Sequence, residues 1–181
     1  MSYIINDGAI NGYYYRKNKN NKYDYVDFSG KIIIKDINDY VLDTIDRNAI
    51  FFKDNKWIIA DNEGKYMFIT DVIPLYNIPI FINVKNGNTF AIEVEEKKYR
   101  TNKSVDILGT KYYIYDYYKY YKIYKNTELL LDNVRDYYCI DTSYFSDKEM
   151  EYICITTDFY EGIINDDGKW IARRKNFSDE E

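Results

Sequence analysis

The chain has 181 residues, 46% hydrophobic and 30% charged, with a formal net charge of −5, a size that suits one domain with a sizeable core. It contains no histidine, which excludes Ser-His and Cys-His catalysis and histidine-based metal sites. No uncharged stretch reaches membrane-spanning length; the longest, 72–84, has 13 residues and two prolines.

The opening residues Met1–Asp7 carry neither a basic region nor a long apolar one, so the chain is expected to be cytoplasmic. Tyr13-Tyr14-Tyr15 is the first strand-like run, and the polar run from Lys17 to Lys22 follows it as a loop or cap. Tyr23-Asp24-Tyr25-Val26 then leads into Asp27-Phe28-Ser29-Gly30-Lys31 and out along Ile32-Ile33-Ile34. The pattern returns as Ala49–Phe52, the short turn Asp54-Asn55, Trp57–Ala60, the turn Asp61-Asn62-Glu63-Gly64-Lys65, and Tyr66–Ile69. Two weaker copies follow. One is Ile80–Val84, the hairpin signal Asn86-Gly87 and Thr89–Lys97; the other is Tyr112–Tyr115 with Tyr121–Glu128. The last copy is Tyr152–Ile155, Glu161–Ile164 and Asn165-Asp166-Asp167-Gly168-Lys169. An insertion at 143–150 precedes it, where Ser146-Asp147-Lys148-Glu149 matches a capping box and predicts a helix of one or two turns at most. A polar residue and a β-branched one close the units: Asp36-Ile37, Asp71-Val72, Ser104-Val105 and Asn133-Val134.

With positions 27, 61, 93, 125 and 165 as equivalents, the spacings are 34, 32, 32 and 40. The expectation is an all-β chain of antiparallel meander repeats, about five units of about 33 residues, stacked like a propeller or a solenoid. One three-stranded meander leaves an apolar face open, and stacking neighbours closes it. Residues 1–175 read as a single β-repeat domain and 176–181 as an acidic tail ending in Ser178-Asp179-Glu180-Glu181. Composition agrees, because tyrosine, isoleucine and phenylalanine favour strands and alanine, the best helix former, occurs five times. Tyrosine, isoleucine, lysine and asparagine supply 86 of the 181 residues; AT-rich codons or a functional aromatic surface would each produce that bias.

The pattern aromatic–Gly–apolar–apolar–Asp–x–x–Gly–Lys resembles the WG repeat, a bacterial β-hairpin repeat of about 35 residues. Trp57 with Asp61, Gly64 and Lys65 matches its tryptophan and turn; Gly162 with Gly168 and Lys169 matches its glycine and turn. The likeness runs from about Tyr13 to Arg174, and no unit keeps an intact Trp-Gly pair. It implies a scaffold and binding repeat with no catalytic residues to carry over.

Sites of chemistry are few. Cys139 and Cys154 lie in apolar runs and read as reduced, buried structural thiols. Asp61 and Glu63, or Asn165, Asp166 and Asp167, could supply oxygen ligands to calcium, but in glycine turns such side chains bond their own backbone. Glu93 and Glu95 share one strand face, about 7 Å apart, and fit a solvated face better than a catalytic pair. No cofactor or metal is expected.

The Tyr112–Tyr124 stretch stands out. With Ile114, Ile123, Tyr112 and Tyr121 inward, Tyr113, Tyr115, Tyr120 and Tyr124 share an outer face with Lys122. Such a face suits a protein partner or a sugar ring, whereas cross-strand tyrosine pairs covering another layer would explain it structurally. From Asp141 to Asp167 eight acidic residues face one basic residue, so Asp158 and Glu161 join the candidate contacts, either for a basic partner or as a solvated surface. Glu161 falls on the same register as Trp57, which is awkward if that register points inward. The first expectation is therefore a non-enzymatic binding protein for a protein partner, for example an immunity-type inhibitor of a basic toxin. A carbohydrate-binding module and a carboxylate-dependent hydrolase are the alternatives. The acidic balance disfavours duplex nucleic acid, and no membrane contact is expected.

Overall fold

The computed structural model describes residues 12–42, 48–74, 78–83, 87–140 and 152–176. The expected helix and insertion at 143–150, and the tail from Ser178, lie outside these residues. Every described element is a strand, and every strand pairing is antiparallel. The chain divides into two compact units, Met1–Ile78 and Pro79–Glu181.

The first unit holds two sheets. One is β1 (Tyr13–Lys17), β2 (Tyr23–Asp27) and β3 (Ile32–Ile37), in that order. The other is β4 (Asp39–Val41), β5 (Ala49–Lys53), β6 (Lys56–Ala60) and β7 (Tyr66–Thr70). The second unit is one seven-stranded meander of β8 (Ile80–Asn83), β9 (Thr89–Ile107), β10 (Thr110–Lys125), β11 (Glu128–Ile140), β12 (Tyr152–Thr157), β13 (Tyr160–Asn165) and β14 (Trp170–Lys175).

Three glycine turns fold alike. Gly30, Gly64 and Gly168 sit at φ +87°, +85° and +74°, a region that glycine enters without a Cβ clash. Each donates its N–H to the carbonyl of Asp27, Asp61 or Asn165, at 2.8–3.1 Å. The side-chain Oδ1 of that same residue accepts the N–H of Lys31, Lys65 or Lys169. Asp61 and Asn165 thus spend this oxygen on their own turns, the Asx behaviour expected of them. The short turn Asp54-Asn55 has φ +52° and +62°, as a two-residue hairpin requires. For Asn86-Gly87 only Gly87 is described, and the strands on either side pair through Asn83 and Thr89.

The same packing occurs within each unit. A Cβ placed on Gly64 would lie 2.9 Å from Ile33 Cγ2, and one on Gly168 would lie 2.8 Å from Leu130 Cδ2. Ile33 and Leu130 hold equivalent places in Ile32–Ile37 and Leu129–Val134. In both segments the residue three further on bends the chain, Asp36 at φ +57° and Asn133 at φ +55°. Ile37 and Val134 come next and are fully buried. Two of the four expected unit boundaries therefore combine a positive φ with a buried β-branched residue. Val72 is exposed, and Ser104-Val105 lies inside β9.

Counted from the turns, Tyr25 corresponds to Ile59. Yet the core of the first unit joins Tyr15, Tyr25 and Ile34 to Phe51, Ile58 and Ala60. The two sheets thus present opposite faces to one core. The other face of the second sheet, with Ile50, Ile59 and Phe68, is buried as well. In the second unit Phe90, Ile92, Ile123 and Val134 meet Ile153, Ile155 and Ile164.

One expectation changes here. Tyr112–Tyr115 and Tyr121–Tyr124 are parts of the single strand β10, and Glu93, taken as a turn position, lies within β9. The strand pairings give a three-stranded, a four-stranded and a seven-stranded meander, the last carrying one long hairpin. Residues 116–119 contain no glycine, proline or asparagine to turn the chain, and they pair with 96–99 instead.

Candidate arm surface in the second unit

β9 and β10 pair along their whole length, from Phe90 opposite Lys125 to Ile107 opposite Thr110. Their other neighbours stop early. Among the described residues β8 pairs with β9 only as far as Ile92, and β11 pairs with β10 only from Tyr121 onward. Beyond these points the hairpin is a two-stranded arm, both of whose edges are unpaired among the described residues. Residues 96–119 carry six basic and three acidic side chains, a net of +3 in a chain of net −5.

Because β10 is unbroken between Tyr115 and Lys125, parity assigns its faces. Tyr115, Tyr117, Tyr121 and Ile123 share one face; Tyr118, Tyr120, Lys122 and Tyr124 share the other. The proposed common face of Tyr113, Tyr115, Tyr120 and Tyr124 is therefore split. Four residues of continuous strand lie between Tyr115 and Tyr120, and the odd step of five reverses the face.

The two groups meet different surroundings. Tyr113, Tyr115 and Tyr117 are 41%, 39% and 64% exposed. The Arg100 guanidinium lies 3.2 Å from the Tyr113 ring centre, and the Lys98 ammonium 4.0 Å from that of Tyr115. Tyr120, by contrast, is 6% exposed, between Lys97 at 4.6 Å and Arg135 at 4.7 Å. Burial and a hydrogen bond with Tyr99 raise its phenol pKa. Tyr124 donates to Glu93 Oε2 at 2.8 Å, and burial with that bond pushes its phenol up. Lys122 pairs with Glu95 at 3.5 Å. Tyr120, Lys122 and Tyr124 therefore fasten the base of the arm. Glu93 and Glu95 are engaged there as partners of Tyr124 and Lys122.

Asp158 pairs with Arg135, whose guanidinium also lies over Tyr118 and Tyr120. That pairing holds the Arg135 pKa above its ordinary value. Glu161 pairs with Arg174, away from this cluster, beside an open groove of about 520 Å3 that also touches Tyr138 and Cys154. Trp57 lies on the face of its sheet opposite the core residue Ile58 and packs on Phe52. Trp57 shares its face with the buried Ile59, whereas Glu161 lies off the register of the core residue Ile164, so the two equivalent positions meet different surroundings. Cys154 is buried as expected, but Cys139 is exposed, because it lies near the open end of β11. Partial desolvation, then the neighbouring Cys154, raises its thiol pKa and keeps it protonated.

On the other face of the distal arm Tyr112 and Ile114, expected inward, are exposed, because the arm extends past the neighbours that would cover them. Val105 opposite Tyr112, with Ile107 and Ile114, forms an exposed apolar row, and Leu108 stands fully exposed at the tip with φ +51°. Lys98, Arg100, Lys111 and Tyr117 were missed on the cationic face. Strict alternation of aromatic residues at 113, 115 and 117 was the available signal. No protein-family model, no curated protein and no solved structure matches the chain.

Proposed function

We propose that the chain is a non-enzymatic binding protein and that its arm, through the row Val105, Ile107, Tyr112 and Ile114, is where a protein partner docks. One observation carries this: a paired hairpin extends past its neighbours and holds apolar side chains in water at its far end. Soluble proteins seldom spend exposed apolar rows and open strand edges without a partner for them. The resemblance to WG repeats, with their scaffold role, supports the same reading. Asp158 and Glu161 already have arginine partners, so a basic partner would have to compete with Arg135 and Arg174. The apolar row carries no such cost.

Site-specific photo-crosslinking tests the proposal. A photoreactive residue at Ile114 should give a discrete, saturable protein adduct, and the same residue at Ile171 should not. Adding Val105→Asp should abolish the adduct while leaving the far-ultraviolet circular dichroism unchanged. Equal labelling from both sites, or an adduct indifferent to Val105→Asp, refutes it.

A further inference from the structure

The opposite face of the arm has another chemistry. We propose that it binds single-stranded nucleic acid, with phosphate held by Arg100 and Lys111 and bases stacked on Tyr113, Tyr115 and Tyr117. This does not depend on the protein-binding reading, which uses the other face.

The geometry begins with a bulge. Tyr113 and Tyr115 are two residues apart, but their partners Ser104 and Arg100 are four apart. Thr101 fixes the extra residues: its hydroxyl donates to the Ile114 carbonyl at 2.9 Å and accepts the Lys103 N–H at 3.1 Å. The bulge opens a polar cavity of about 340 Å3, lined by Arg100, Thr101, Asn102, Ser104, Lys111 and Tyr113. It offers two cations with hydroxyl and amide donors. The Arg100 guanidinium lies over the Tyr113 ring, and its N–H groups form the planar fork that suits phosphate oxygens.

The rings continue from the cavity. Tyr113, Tyr115 and Tyr117 follow one another on alternate residues, about 7 Å apart along the strand. Lys98 lies 4.0 Å from the Tyr115 ring centre and 5.6 Å from that of Tyr117. Aromatic platforms interleaved with cations bind single strands, whose unpaired bases expose their flat faces. A duplex hides those faces within its base stack. An acidic peptide would satisfy the cations but make no use of the ring area that Tyr113, Tyr115 and Tyr117 leave exposed.

The test is fluorescence anisotropy of the full chain with a labelled 15-nucleotide uridine RNA. Saturable binding is expected at 50 mM salt. Three released counterions, for Lys98, Arg100 and Lys111, predict a logarithmic salt slope of about −2, hence about 20-fold weaker binding at 200 mM. Tyr115→Ala should weaken binding about five- to a hundredfold with the slope unchanged. Arg100→Ala should weaken it and flatten the slope by about 0.7. Ile114→Ser, on the other face, should have no effect. Absence of saturable binding up to about 100 µM protein overturns the proposal. So does displacement of the RNA by polyglutamate at equal charge, which would mark the face as a site for acidic peptide, or equal affinity for a duplex of the same length.

Discussion

The matched turns at Gly30 and Gly64 allow module packing to be measured separately from backbone strain. Both have φ near +86°, yet a Cβ on Gly30 would meet nothing within 4 Å, while one on Gly64 would lie 2.9 Å from Ile33 Cγ2 and 3.4 Å from the Ile33 carbonyl. Alanine at Gly30 suffers only the left-handed backbone penalty, about 1–2 kcal/mol, partly offset by a less flexible unfolded chain, for a net of about 1 kcal/mol. Alanine at Gly64 adds overpacking against a β-branched side chain, about 1–3 kcal/mol more. With an m-value near 1 kcal/mol/M for a unit of this size, the urea midpoint should fall by about 1 M for Gly30→Ala and about 2–4 M for Gly64→Ala. Trp57, half-buried beside Phe52, reports the first unit once Trp170 is replaced by phenylalanine. In an Ile33→Ala background the extra cost of Gly64→Ala should shrink by about 1 kcal/mol or more, as a double-mutant cycle reads it. Equal losses at the two glycines, or an unchanged cost without Ile33, would refute the turn-on-strand contact between the two sheets.

Other outcomes follow from the same geometry. A Cβ on Gly162 would lie 2.2 Å from the Ala172 carbonyl and 2.8 Å from the Trp170 ring, so Gly162→Ala should part β13 from β14, seen as faster amide exchange over 170–175. Burial raises the Tyr25 phenol to about 12, above its unfolded value near 10. Its contribution is complete below pH 10 and is lost as pH rises toward 12; Tyr25→Phe should flatten that alkaline fall in stability. Arg135→Ala removes two ring contacts and the pair with Asp158, so a loss of about 1–2 kcal/mol is expected in denaturant unfolding. Asp158→Ala should cost less, and the double variant little more than Arg135→Ala alone.

The turns and the all-β class were legible in the residues because their causes are local. An Asp or Asn four residues before lysine, with glycine between, folds on its own hydrogen bonds wherever it stands, and Asp54-Asn55 needs only its own tolerance of positive φ. The pairs Asp36-Ile37 and Asn133-Val134 stood out only as ends of units, and their positive φ was not legible, since Asp71-Val72 and Ser104-Val105 carry the same pattern without it. The arm was not. Whether residues 116–119 turn or continue depends on 96–99 being there to pair with them, and no window of sequence contains both. That pairing reversed the faces of half the tyrosines, buried Tyr120 beneath Arg135, and left Tyr113, Tyr115 and Tyr117 beside Arg100 and Lys98. Residue types decided that strands would form and where the glycine turns fall; long-range register decided whether 116–119 turn and which side chains water can reach.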